Sequence, residues 1–149
     1  MSLESRVMEE MKAAMKAKDT VTLESLRAIK SALLLAKTEK GGGSGLAEAE
    51  EMALVQKLVK QRRDSAAIYK EQGREDLAGP ELAQVAVLER FLPEPLTEAE
   101  IEKVVVQTIE ALGADGMKDM GKVMGAVTKE LAGAADGKTI SAIVRKNLL

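Results

Sequence analysis

The sequence contains neither histidine nor cysteine. Histidine is the usual general base in enzymes, and with cysteine it supplies most zinc ligands. Their joint absence excludes Ser-His-Asp triads, Cys-His dyads, disulfides and most zinc sites. The sequence also has no GxxxxGKS/T phosphate loop and no GxGxxG motif. It therefore predicts no catalytic residues, no metal ligands and no cofactor.

Aromatic residues are nearly absent, since the chain has one Phe, one Tyr and no Trp. A base-stacking platform for single-stranded nucleic acid is thereby almost excluded. The core must be built from Leu, Val, Ile, Ala and Met, and no run of β-branched and aromatic residues is typical of a strand. Together with abundant Glu and Lys, this composition predicts an all-α fold.

No apolar run approaches the roughly 20 residues that would span a bilayer. The first residues are acidic and lack the apolar segment of a signal peptide, so a cytoplasmic location is expected. The net charge is −2, from 22 basic and 24 acidic residues. This argues against general nucleic-acid binding. Residues 113–149 nevertheless carry six basic and four acidic side chains, a net charge of +2.

Four helices are predicted ahead of a proline-rich boundary. The first covers residues 3 to about 18, and the second is capped by Asp19 or Thr20. A flexible connector or mobile tip, GGGSG at residues 41–45, then leads to a third helix over about 46–72. The fourth helix is expected to follow Pro80, which suits a first helical turn.

The PEP sequence at residues 93–95 predicts a boundary between two regions, because prolines this close bar helix continuation. Thr97 and Glu100 form a capping box that opens a fifth helix. Glycines separate it from a sixth helix over about 117–131, and a turn at Asp136-Gly137 precedes a seventh. The sequence thus predicts an N-terminal helical bundle, residues 1–92, and a compact three-helix unit, residues 94–149.

Five stretches, in order along the chain, resemble the GatB/YqeY family: LRAIKSAL (26–33), KQRRDS (60–65), FLPEPL (91–96), DMGKVMG (119–125) and ADGK (135–138). The C-terminal unit is similar to the tail of the B subunit of tRNA-dependent amidotransferases. These enzymes convert Glu or Asp misacylated onto tRNA to Gln or Asn, with glutamine as amide donor, and the tail meets the tRNA body. The resemblance implies a free-standing, all-helical relative of that tail. It does not imply carbon–nitrogen ligase activity, because the catalytic subunits have no counterpart here.

The sixth helix carries the most informative pattern. Its apolar residues share one side, whereas Lys118, Lys122, Gly125 and Lys129 share the opposite side, with Gly121 beside them. Each glycine costs about 1 kcal/mol relative to alanine in a helix. A bare basic face would let an RNA phosphate strand come close. Two alternatives remain open: the glycines admit a neighbouring helix of the same protein, or they contact a protein partner.

Other candidate sites concern charged and sulfur-containing side chains. Lys138 joins the tRNA-binding candidates of the C-terminal unit. Lys30 and Arg62 fall on the apolar sides of their helices, where they either form an ion-pair network or face an anion-binding cleft. Met8, Met11 and Met15 form a stripe that is expected to be adaptable core rather than a binding groove.

The predicted function is that of a tRNA-associated accessory protein that recognises shape and phosphate rather than base sequence. The alternative is a protein-interaction module that docks on an amidotransferase, a synthetase or another complex.

With no histidine, cysteine or nucleotide loop, we expect the isolated protein to release no ammonia from glutamine and to hydrolyse no ATP. Coupled assays on highly purified protein test this expectation. Turnover that disappears when one of the protein's own Ser or Lys residues is replaced would reveal a catalytic site and overturn it.

Overall fold

The computed structural model describes residues 2–41 and 45–149, which form seven α-helices and no β-strand within those ranges. The helices are α1 (Leu3–Ala17), α2 (Thr20–Glu39), α3 (Glu48–Glu71), α4 (Glu75–Glu89), α5 (Glu98–Leu112), α6 (Met120–Glu130) and α7 (Gly137–Leu148). The all-α fold predicted from composition is confirmed. The predicted glycine-rich connector includes residues 42–44, which lie outside the described residues.

Side-chain caps start α2 and α5 where the sequence predicts them. Asp19 accepts hydrogen bonds from the backbone N–H of Thr22 at 3.1 Å and from its hydroxyl at 2.6 Å. These bonds, the hydroxyl bond foremost, lower the pKa of the Asp19 carboxyl. Thr97 and Glu100 form the expected reciprocal capping box at the start of α5. Such caps satisfy amide groups that have no partner inside the helix.

Helix α4 begins earlier than predicted. It starts at Glu75, so Pro80 lies inside the helix rather than ahead of it. Proline cannot donate a hydrogen bond to the carbonyl four residues earlier, here that of Asp76. Burial of Ala78 on one side of the proline, and of Val85 and Leu88 on the other, keeps the helix continuous. The prediction that the helix starts after Pro80 was therefore wrong, because side-chain burial on both sides of Pro80 outweighs the local preference of proline for a first helical turn.

The chain divides into two compact units, Met1–Leu92 and Pro93–Leu149. In the first unit α3 packs chiefly on α4, while α2 packs on α1 and α4. The α3–α4 turn uses Gly73, which has a φ of +73°. The largest fully buried side chains of this unit are Leu26, Ile29 and Leu88.

An Arg6 cluster ties α1 to the end of α4. The guanidinium of Arg6 lies 4.6 Å from the centroid of the buried Phe91 ring and donates a 2.9 Å hydrogen bond to the carbonyl of Arg90. Glu10 forms ion pairs with Arg6 at 3.6 Å and with Arg90 at 3.2 Å. The first and last helices of the unit are thereby linked.

The second unit is a three-helix bundle in which α5, α6 and α7 all pack on one another. Its core is aliphatic and consists of Ile101, Val105, Val123, Val127, Leu131, Ile140, Val144 and Leu148. The backbone N–H of Leu96 donates a 2.9 Å hydrogen bond to the carbonyl of Ala134, which fastens the entering chain to the α6–α7 loop.

Gly113 ends α5 in the left-handed conformation, at a φ of +61°. A Cβ added there would meet no neighbouring group of the described residues within 4 Å, so a substitution there is strained by backbone conformation alone. We expect Gly113→Ala to lower the free energy of unfolding by roughly 1–2 kcal/mol, measured by urea denaturation. Gly113→Asn should cost less, since asparagine tolerates this conformation. Equal losses for both variants would contradict the explanation.

Candidate nucleic-acid interface

A short loop positions the start of α6. Gly116 has a φ of +76°, and the carboxylate of Asp119 accepts a 2.8 Å hydrogen bond from the backbone N–H of Asp115. One 3₁₀ turn, Met117–Asp119, then leads directly into α6. The first turn of the predicted sixth helix is therefore 3₁₀ rather than α-helical.

Burial divides α6 into two sides, as its sequence predicts. Val123 and Val127 are fully buried, and Leu131 just beyond the helix is also buried. The residues of the opposite side are exposed. We call them the basic α6 face: Lys118, Gly121, Lys122, Gly125 and Lys129. The structure thus brings five of the six tRNA-binding candidates onto one surface.

Gly121 and Gly125 face open space. A Cβ built on either glycine would lie more than 4 Å from any neighbouring group in the described part of the chain. Neither glycine has a positive φ. Within the described residues of the second unit, no helix lies close enough to explain these glycines by tight packing, which argues against that alternative.

The lysines of this face form no ion pair within the described residues of the second unit. Within residues 93–149 the structure records an ion pair between Lys146 and Glu102, at 3.6 Å, but none for Lys118, Lys122 or Lys129. Their side chains are exposed and available to an external anion.

Lys138 does not belong to α6. It is the second residue of α7, where its side chain is exposed. Asp136, two residues earlier, caps this helix and accepts a 2.7 Å hydrogen bond from the N–H of Thr139.

The two cations of the predicted anion cleft have different surroundings. Arg62 is half-buried and donates to the side-chain oxygen of Gln84 at 2.7 Å and to the carbonyl of Leu58 at 3.1 Å. Gln84 in turn donates to Glu24 at 3.3 Å. Lys30 is exposed and borders a depression between α1 and α2 that Arg62 does not line. Arg62 thus belongs to a structural hydrogen-bond network.

The methionine stripe of α1 is only partly core. Met11 packs against the core of the first unit, whereas Met8 and Met15 are 41% and 54% exposed. The expectation that all three are core was wrong, because Met8 and Met15 lie beyond the edge of the buried stripe formed by Leu3, Val7 and Ala14.

Among the residues described, none of the helices combines the length and apolar character required to cross a bilayer.

Two relatives match most of the chain. The chain is 32% identical over 140 residues to the protein "Altered inheritance of mitochondria protein 41, mitochondrial" of Pyrenophora tritici-repentis, covering 91% of this chain and 75% of that protein. A protein of the same name from Clavispora lusitaniae is 28% identical over 130 residues, covering 87% of this chain and 74% of that protein.

A shorter similarity links the chain to an amidotransferase. The E-type subunit of the glutamyl-tRNA(Gln) amidotransferase of Thermococcus gammatolerans is 43% identical over 58 residues, which cover 39% of this chain and 9% of that protein. This relative is of the E type, whereas the sequence motifs indicate a likeness to the B subunit. The family model described as "Yqey-like protein" matches residues 4–148. Because that match spans nearly the whole chain, the protein belongs to the YqeY-like family.

Proposed function

We propose that this protein is a tRNA-associated accessory protein that contacts RNA phosphates through the basic α6 face. One observation carries the proposal: two helix glycines face open space between lysines that have no ion pair in the described part of the second unit. The similarity to part of a glutamyl-tRNA(Gln) amidotransferase supports tRNA as the class of ligand.

Gly121 and Gly125 lower the stability of α6 unless a group outside the chain packs against them. Each lowers helix stability by about 1 kcal/mol relative to alanine. Packing within the described chain does not offset that cost, since no group lies within 4 Å of either Cβ position. Without side chains, Gly121 and Gly125 let a phosphate strand approach the helix backbone, and the adjacent lysines supply the charge.

The composition of the second unit favours recognition of shape. The two aromatic residues, Tyr69 and Phe91, both belong to the first unit, so the second unit has no aromatic ring on which a base could stack. Lysine ammonium groups act as point charges and lack the planar fork that reads a base edge. Double-stranded RNA is recognised mainly through its phosphates, its 2′-hydroxyls and its shape. We therefore expect little dependence on base sequence.

A second candidate function is docking on an amidotransferase complex. The 43% identity to a region of an amidotransferase subunit favours it, since an interface would keep a similar surface. In that case the basic α6 face would contact protein rather than RNA. The family link to carbon–nitrogen ligases adds no catalytic role here, because no catalytic residue supports one. A cytoplasmic location stays a prediction, as two relatives are named as mitochondrial.

Replacing Lys118, Lys122 and Lys129 with Gln should weaken tRNA binding. Three phosphate contacts would give a slope of log K against log salt of roughly −2 to −3, and removing them should bring the slope close to zero. Fluorescence anisotropy with labelled tRNA at several salt concentrations measures both quantities. The fold should be unchanged, because the buried side of α6 is untouched.

Lys12, Lys16 and Lys57 provide a matched control. All three are exposed lysines of the first unit without an ion pair among the described residues. Changing them to Gln removes the same total charge. If this control weakens binding as much as the α6 variant, binding follows net charge, and the assignment to α6 fails.

The glycines give a second, independent test. Gly125→Ala should raise the free energy of unfolding by a few tenths to about 1 kcal/mol, since its methyl group meets open space. Gly125→Leu should also leave the fold intact, but it should weaken tRNA binding because its side chain blocks close approach. Urea denaturation and tRNA affinity are measured on the same variants. A Gly125→Leu protein that binds tRNA normally would reject the phosphate contact at this helix.

A further inference from the structure

An apolar strip lies on the surface of the first unit where α1 and α2 meet. Met8 and Met15, seven residues apart, share one side of α1 and are 41% and 54% exposed. Leu34 of α2 is 67% exposed. Large apolar side chains with this exposure are rarely grouped on a protein surface. Where they are grouped, they commonly mark an interaction site.

An ion pair between α1 and α2 lies at one end of this strip. Glu4, four residues before Met8 and therefore on the same side of α1, pairs with Lys37 of α2. Between the two helices lies a depression of about 60 Å³. Val7 and Leu33, both buried, form its floor, and Leu34 and Lys30 are on its border. The depression is of a size to receive the tip of one apolar side chain.

The strip is bordered mainly by unpaired positive charge. Lys12 lies four residues after Met8 and therefore on the same side of α1. Arg27 lies seven residues before Leu34 and therefore on the same side of α2. Lys12, Arg27 and Lys30 are exposed and form no ion pair among the described residues. On the acidic side, Glu4 is already paired with Lys37, Glu9 of α1 is exposed, and Glu51 of α3 interacts electrostatically with both Lys37 and Glu4.

We propose that this α1–α2 strip is the docking site for an acidic amphipathic helix of a partner protein. One apolar side chain of that helix enters the depression, its neighbours cover Met8, Met15 and Leu34, and its flanking carboxylates pair with the free cations. The strip from Glu4 to Met15 is about 16 Å long at 1.5 Å per residue, which matches three helical turns. Binding of an amphipathic helix in an apolar groove between helices is a common mode of peptide recognition.

The chemistry of the strip favours a helix over other occupants. The flexible thioethers of methionine adapt to different apolar surfaces. The strip carries no Trp or Phe to anchor it in a membrane interface, and its one residue of the interfacial type is Leu34. An RNA strand would gain nothing from the apolar floor formed by Val7 and Leu33. Because the strip shares no residue with the basic α6 face, this proposal and the tRNA proposal fail or succeed separately.

The test uses a synthetic helical peptide of about 16 residues, with Leu at every third and fourth position and Glu on both flanks. A peptide with Lys in place of each Glu is its control. With the whole protein labelled at methionine methyl groups, we expect the Glu peptide to shift the NMR signals of Met8 and Met15. The Lys peptide should shift neither, because it meets like charges.

Two pairs of variants locate the site. Leu34→Gln should weaken binding of the Glu peptide about tenfold, in the range of a moderate hot spot, whereas Ile68→Gln should not. Ile68 is a fair control because it is 53% exposed on α3 of the same unit. Lys30→Glu should likewise weaken binding, whereas Lys57→Glu on α3 should have a smaller effect. All four positions are exposed, so the variants should fold normally.

Four outcomes would overturn the proposal: no shift at millimolar peptide, equal losses in the control variants, preferential binding of anionic phospholipid vesicles that depends on Leu34, or self-association that Leu34→Gln abolishes. The third result would assign the strip to a membrane surface, and the fourth to a second copy of this chain. Loss of tRNA binding in Leu34→Gln would also count against a protein partner.

Discussion

Burial of Phe91 just after α4, against a cation of α1, joins the two ends of the first unit. Phe91 is the only phenylalanine of the chain and lies in the core just after α4. The guanidinium of Arg6 stacks on its ring, and Glu10 bridges Arg6 to Arg90. A cation over an aromatic ring contributes about 0.5–1 kcal/mol when exposed, and more when water is excluded. Burial of Leu3, Val7 and Ala14 sets the rotation of α1 and leaves Met8 and Met15 on the surface, and the Arg6–Phe91 contact adds to this arrangement.

The second unit lacks any aromatic anchor and relies on branched aliphatic side chains. Its core residues come from all three helices, so each helix has one buried side and one side free for other uses. Helix α6 shows this division most clearly, because its buried side is valine and its outer side is lysine and glycine. Stability and the proposed binding role are therefore carried by different residues of the same short helix.

Sequence reasoning succeeded where local chemistry decides the structure. The caps formed by Asp19 and Thr97 were predictable because each satisfies helix amides within three residues. Pro80 was misplaced because its local preference competes with the burial of α4 side chains, which depends on tertiary packing.

Residues at the edge of a buried stripe were the hardest to predict. Met8, Met15 and Lys30 all lie near the border between core and solvent, where a small rotation of the helix decides exposure. For the α6 glycines, the sequence marked two costly residues but left their surroundings open. Only the positions of the neighbouring helices show that no described residue fills the space beside Gly121 and Gly125.

The empty space beside these glycines has an evolutionary consequence. Since folding alone would favour alanine at both positions, random substitution should remove glycine from any lineage in which nothing approaches α6. In lineages that keep an external contact there, selection must oppose that drift. Glycine retained at residues 121 and 125 in related proteins would therefore indicate an external contact, because the fold itself has no preference for glycine there.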